Sequence, residues 1–166
     1  MQRPASINAP MSRDQPDRSG VKVPPPLIYV AGFLVGIVVE LLFPISALPL
    51  PLALAAACTG LAIWLALDGA AMLQFRSART SMIPMKPSTA LVTSGPYRVT
   101  RNPMYVGMAV LYAALALALG VIWALAILPF VLLAVDRLVI AREEPYLERK
   151  FGDEYRQYKG RVRRWL

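Results

Sequence analysis

Three long stretches of this chain contain no Asp, Glu, Lys or Arg: 23–39, 41–67 and 102–135. A helix that crosses a bilayer needs about 20 mostly apolar residues, with about 17 as the lower end. Backbone amides left unpaired in lipid are costly, so blocks of this kind are expected to be helical. The last block is 34 residues long. As one helix it would reach roughly 50 Å, well beyond a hydrocarbon core of about 30 Å. It is therefore read as two short spans that turn near Gly120. The fold class expected is all-α: a polytopic membrane helical bundle with four transmembrane helices at about 27–43, 52–72, 103–119 and 121–137. Composition agrees, with 57% apolar residues, 17% charged and a mean hydropathy of +0.49.

The net charge of +8 would suit a nucleic-acid binder, but its placement argues otherwise. Every Lys and Arg falls in 3–22, in 76–101 or from 137 onward, outside the apolar blocks. That is the positive-inside pattern. Four crossings put both termini and the 73–101 loop on the cytoplasmic side. A soluble nucleic-acid binder has no need of long neutral spans between its basic patches, so no nucleic-acid partner is expected. Cys58 is alone and lies in a span, which leaves no disulfide framework or thiolate cluster. With no histidine in the chain, no His-based zinc site or catalytic triad is available and no metal site is expected. The apolar run after residue 22 is longer than a signal-peptide core and lacks a small-residue cleavage site.

Along the chain, 1–26 carries scattered prolines and the run Pro24-Pro25-Pro26, which suggests a flexible cytoplasmic tail ahead of a membrane domain over 27–166. The small residues of the second span, Ala53, Ala55, Ala56, Ala57, Thr59 and Gly60, suit close helix contact. They also leave open an apolar gap beside the third and fourth spans through which an acceptor would arrive from the bilayer. The 73–101 loop holds five basic residues, no acidic one, and Met82, Ile83, Pro84, Met85 and Pro87, as expected of a loop held against the interface. Asn102-Pro103 reads as a helix start with Asn102 as cap, and Pro129 as a kink or adjustment in the fourth helix. From 137 the chain carries nine basic and five acidic residues. Leu147, Phe151, Tyr155 and Tyr158 give it one apolar, aromatic helix face. Such a segment either lies along the membrane surface or folds back over the spans at the cytoplasmic face, with Gly152 and Gly160 as candidate breaks.

Three constellations carry chemistry. Thr93 to Gly107 joins a Gly-Pro turn, Arg98 and Arg101 to the N-terminus of a membrane helix, where free N–H groups and guanidinium groups suit an anion. The plainer reading is that arginines flank any span. Arg142-Glu143-Glu144 follows the last span; its carboxylates are able to accept ribose or amino hydrogen bonds, to pair with Arg98 or Arg101, or simply to balance nearby basic residues. Glu40, Asp68 and Asp136 are acidic residues in or beside spans, a placement that defaults to a functional hypothesis. Asp68 beside Arg76 and Asp136 beside Arg137 also read as structural pairs, and Glu40 as interfacial.

Two blocks resemble a known family. One is Leu91-Val92-Thr93-Ser94-Gly95-Pro96-Tyr97-Arg98 with Arg101-Asn102-Pro103-Met104-Tyr105-Val106-Gly107. The other is Glu143-Glu144 with Leu147, Phe151-Gly152, Tyr155, Tyr158 and Arg163-Arg164-Trp165. Together they cover about 85–166. The chain resembles bacterial members of the isoprenylcysteine carboxyl methyltransferase family, which are related to the membrane phospholipid methyltransferases. The resemblance implies an integral protein of a bacterial inner membrane that uses S-adenosylmethionine to methylate a membrane lipid or small amphiphile. It implies cofactor-binding roles for Gly95, Tyr97, Arg98, Arg101, Asn102, Pro103, Tyr105, Gly107, Glu143 and Glu144, with Arg101, Asn102 and Glu143 as catalytic candidates. Many relatives have histidine where this chain has Asn102, so no imidazole base acts there. A carboxylate acceptor needs no base; an amine acceptor makes Glu143 or Glu144 the candidate. Two other functions remain open at this level, a nicotinamide-dependent lipid reductase and a non-catalytic membrane scaffold or sensor.

Overall fold

The computed structural model describes residues 17–45 and 48–166. The tail expected over 1–26 is therefore visible only from Asp17 onward, and its earlier part lies outside the described residues. Helix α1 runs Pro25–Leu42, two residues ahead of the expected start, because proline at the first helical positions has the right φ and no N–H to leave unpaired. Helix α2 runs Leu50–Ser77, past the expected end at 72. Gln74 and Arg76 end the apolar pattern but are good helix formers, so polarity changes there before the backbone does. Helix α3 spans Pro103–Leu119 and α4 spans Ile122–Val135. Between them Gly120 adopts φ +68°, a left-handed cap that accounts for the tight turn expected there.

The chain does not end its last apolar helix near 137. A π-helical turn over Asp136–Ile140 leads directly into helix α5, Ala141–Phe151, so Ile122–Phe151 is one 30-residue helix. It is one of three helices long and apolar enough to cross a membrane, with α1 and α2; α3, at 17 residues, is a shorter apolar helix. Among the described residues there is no β-strand, only one isolated bridge. Outward-facing Leu34, Leu41, Leu52, Leu65, Phe130 and Leu133 are exposed, as a lipid-facing surface requires.

The α3–α4 hairpin stands in the middle, with α2 against α3 and α1 against α4. The α2–α3 contact is close: a Cβ added to Gly60 would sit 2.7 Å from Ala114 Cβ. The expected apolar gap beside α2 is therefore closed at this level, because the small residues are used for packing. Glu40, read as interfacial, ties the end of the bundle far from the basic segments. Its carboxylate accepts the backbone N–H of Ile45 at 2.8 Å and of Trp123 at 3.1 Å, and the Trp123 indole donates to the Phe43 carbonyl at 2.7 Å. One side chain of α1 thus satisfies a free N–H in the first turn of α4.

At the other end Gly152 closes α5, and helix α6, Asp153–Arg161, turns back. Tyr155 and Tyr158 bury against Ala71, Val92 and Tyr97, with Phe75, Leu147 and Phe151 around them. Of the two placements open for this segment, the chain adopts the one folded over the end of α2. Gly160 lies inside α6 and breaks nothing.

Candidate functional site

The site is built where the segment before α3 meets the residues after α6. Gly95–Arg98 forms a 3-10 turn that buries Tyr97. Beyond it the Arg101 N–H donates to the Arg163 carbonyl at 2.9 Å, and the Thr100 hydroxyl donates to the Arg164 carbonyl at 3.1 Å. The Asn102 side-chain amide nitrogen donates to the same carbonyl at 2.8 Å. Asn102 therefore does not cap α3 through its side chain, as its position had suggested. The amide is held by Arg164, and only the Asn102 carbonyl serves the helix, accepting the N–H of Tyr105 and Val106.

This stitching brings Arg101 and Arg164 together on Glu144, where Arg164 spans both oxygens and Arg101 shares Oε1 with the Arg164 Nε, 3.0 Å away. Arg101 Nη2 lies 2.8 Å from Oε1 and Arg164 Nη2 lies 2.6 Å from Oε2, while Arg164 Nη1 reaches Asp136 at 3.1 Å. The Arg101 and Glu144 side chains are only 10% and 8% exposed, so their mutual neutralisation is what allows either to be buried. The hydrogen bonds that Arg164 donates to Glu144 raise its pKa above the ordinary value, with Asp136 adding to it. Arg101 Nη1 also donates to the Lys159 carbonyl at 3.1 Å, whereas its buried Nε has no partner among the described residues. Asp136 is read from sequence as a partner of Arg137; that contact is long, 3.9 Å, and Arg164 and the Trp165 indole are its nearer neighbours.

Glu143, one residue earlier, is treated differently. The Tyr105 hydroxyl donates to its two oxygens at 3.0 and 2.9 Å, and among the described residues no Lys or Arg forms an ion pair with it. It faces a cavity of about 370 Å³. The polar wall comprises Arg101, Asn102, Tyr105, Glu143 and Glu144; Met82, Met85, Leu91, Met104 and Met108 supply an apolar wall. Tyr97, Tyr155 and Tyr158 also line it, and burial pushes their hydroxyls up, which keeps them neutral donors.

Six of the ten expected cofactor residues meet at this cavity: Tyr97, Arg101, Asn102, Tyr105, Glu143 and Glu144. The other four do not line it. Gly95 makes the turn at φ +60°, Arg98 is exposed, and Pro103 is buried in the first turn of α3. Gly107 lies against α2, where a Cβ would overlap Asp68 Oδ2. That oxygen is buried with no partner among the described residues, so the pairing of Asp68 with Arg76 does not occur. Tyr146, Ser19 and Pro24 to Pro26 also line the cavity and went unnoticed in the sequence. Tyr146 carried a signal as part of the aromatic C-terminal segment; the proline run read only as tail.

The described residues thus form an all-helical chain, with helices long and apolar enough to cross a membrane, in which a neutralised ion lattice and a carboxylate without a cation face an apolar wall. The sequence profile of the phospholipid methyltransferases matches residues 50–154, and the chain belongs to that family. It is thereby a membrane methyltransferase by descent. A Haemophilus influenzae protein described as uncharacterized is 49% identical over 65 residues, which is 38% of this chain and the whole of that relative. No solved structure matches the chain.

Proposed function

We propose that the chain transfers a methyl group from S-adenosylmethionine to a lipid-like or small amphiphilic acceptor at the cytoplasmic membrane face, within the cavity between α3, α5 and α6. The observation that carries this reading is a pair of groups on one wall: a Glu143 carboxylate held only by the Tyr105 hydroxyl, with no cation, and a buried Arg101 Nε with no acceptor among the described residues. A molecule with an amino group and a carboxylate answers both, and the apolar wall answers an acyl or prenyl chain. When bound, S-adenosylmethionine supplies a methyl group activated on a sulfonium. Arg101 would hold its carboxylate, and Glu143 with Tyr105 its cationic side. Glu144 keeps Arg101 in place, and Asn102, with one amide hydrogen committed to the Arg164 carbonyl, has its second N–H and its side-chain oxygen left to offer.

The residues act mainly by alignment and by excluding water. Glu143 also bears on the acceptor. If the acceptor is an amine, a Glu143 oxygen left free by the cofactor is the candidate to take the proton that the amine must lose. A carboxylate head is already anionic and needs no such base. The acceptor is proposed to arrive between α1 and α2, which stand on opposite sides of the hairpin, since the α2–α3 face is closed by Gly60.

Titrating the purified protein with S-adenosylmethionine and with NADPH tests the class. S-adenosylmethionine alone is expected to bind; NADPH alone would make the chain a reductase, and neither a scaffold. Labelled methyl transfer is expected into a membrane-lipid extract and not into a water-soluble extract, with mass analysis naming the product. Four crossings with both termini cytoplasmic, α3 being a short one, predict that reporters near Lys86 and after Leu166 read inside and one at Gly120 outside. An external signal near Lys86 would refute this topology.

A further inference from the structure

We propose that residues 17–24 are a lid over the cavity, latched by Asp17 on Lys150 and Tyr146, that opens for each exchange of the cofactor. The inference rests on the reading above that a water-soluble cofactor occupies this cavity. Ser19, Pro24, Pro25 and Pro26 line the same space as Arg101, Glu143 and Glu144, so the segment before α1 is part of the chamber's wall. It reaches that position through side-chain contacts, with no helix or strand of its own. The buried Ser19 hydroxyl donates to the Pro84 carbonyl at 2.5 Å, and Val21 is buried in the main apolar cluster. At the outer edge Lys150 Nζ donates to both Asp17 oxygens, at 2.5 and 2.7 Å. The Tyr146 hydroxyl donates to Asp17 Oδ1 at 2.9 Å while accepting the Ser88 N–H at 3.0 Å. One tyrosine thus joins the strap to the 81–88 loop, which lines the same cavity.

Three features make this wall movable. The Asp17 side chain is 45% exposed, and ion pairs in that setting contribute little, so the latch is weak. The closed path needs Gly20 at φ +71°, a conformation that residues with a Cβ resist. The proline run that begins α1 is stiff, which confines movement to the residues before it. A lipid-borne acceptor has the bilayer side to use. A cofactor that comes from water has to pass the polar end, where the strap lies.

Gly20→Ala and Asp17→Asn weaken the closed state by unrelated physics. A Cβ on Gly20 meets nothing within 4 Å, so Gly20→Ala acts through φ alone. The test uses the full chain in nanodiscs. Release of bound S-adenosylmethionine, followed by chase with unlabelled cofactor, is expected to quicken on the order of tenfold in Gly20→Ala. In Asp17→Asn the expected change is roughly two- to fivefold. Binding should quicken as well, so Kd moves less than either rate. A second readout needs no cofactor: spin labels on Arg18→Cys and Lys86→Cys, with Cys58→Ser, should show one short distance that spreads to longer ones in both variants. Cofactor binding with unchanged exchange rates overturns the lid. If the unmodified chain binds no S-adenosylmethionine, the functional reading falls and the distances decide the strap: one narrow distance in all three proteins overturns its opening.

Discussion

At the end of the bundle away from the cavity, Glu40 spends both oxygens on backbone N–H groups and the turn beside it is closed by the Trp123 indole. At the cavity end two adjacent glutamates divide the work. Glu144 is neutralised by two arginines, and Glu143 faces open space with only a tyrosine hydroxyl. The same functional group therefore closes one end of the helices and leaves a charge to be answered at the other. What separates the three is their partners. Backbone N–H groups fasten, guanidinium groups permit burial, and a lone hydroxyl leaves the carboxylate able to act.

The comparison breaks most readily at Glu144. Glu144→Leu strands the Arg101 guanidinium in a buried position, and breaking such a pair costs about 3–5 kcal/mol. Thermal unfolding in detergent should show a large loss, and adding Arg101→Met should return part of it. Full stability in the single variant would mean that the ion lattice is not what holds this end. Glu143→Gln should separate from it cleanly. Removing a hydrogen-bonding charge commonly costs about 1.5–3 kcal/mol, so S-adenosylmethionine affinity by calorimetry should fall about tenfold to a hundredfold, with the unfolding temperature held or raised. An unchanged affinity would take Glu143 out of the cofactor's surroundings. Glu40→Gln should do the reverse, with a small drop in unfolding temperature and the same affinity. Arg98→Ala, although it belongs to the recognised motif, should alter neither, since its side chain is exposed and outside the cavity.

Charge spacing made the helical class legible, and 3.6-residue periodicity made the aromatic face of α5 and α6 legible. These signals are local and repeat along the chain. The continuity of Ile122–Phe151 was not legible, because charges from Asp136 onward mark where lipid is expected to end and say nothing of where a helix ends. At the site, the motif brought Arg101, Tyr105, Glu143 and Glu144 forward together. It could not separate residues that face the cavity from those, such as Gly95 and Gly107, that set the backbone or a helix contact. The split between Glu143 and Glu144 was hidden for the same reason: it depends on Arg164 arriving from the far side. The strap was missed because proline-rich polar sequence carries no periodicity from which a contact can be read.

Two of the chain's three tryptophans mark opposite ends of the bundle: Trp123 against Phe43 at the far turn and Trp165 at Asp136 by the cavity. They form a built-in optical depth gauge. In variants that keep one of these two indoles each, a water-soluble quencher confined to one side of sealed vesicles should dim either Trp123 or Trp165. The light emitted by the native side chains then reports which way the protein is inserted, with no fusion attached to either terminus.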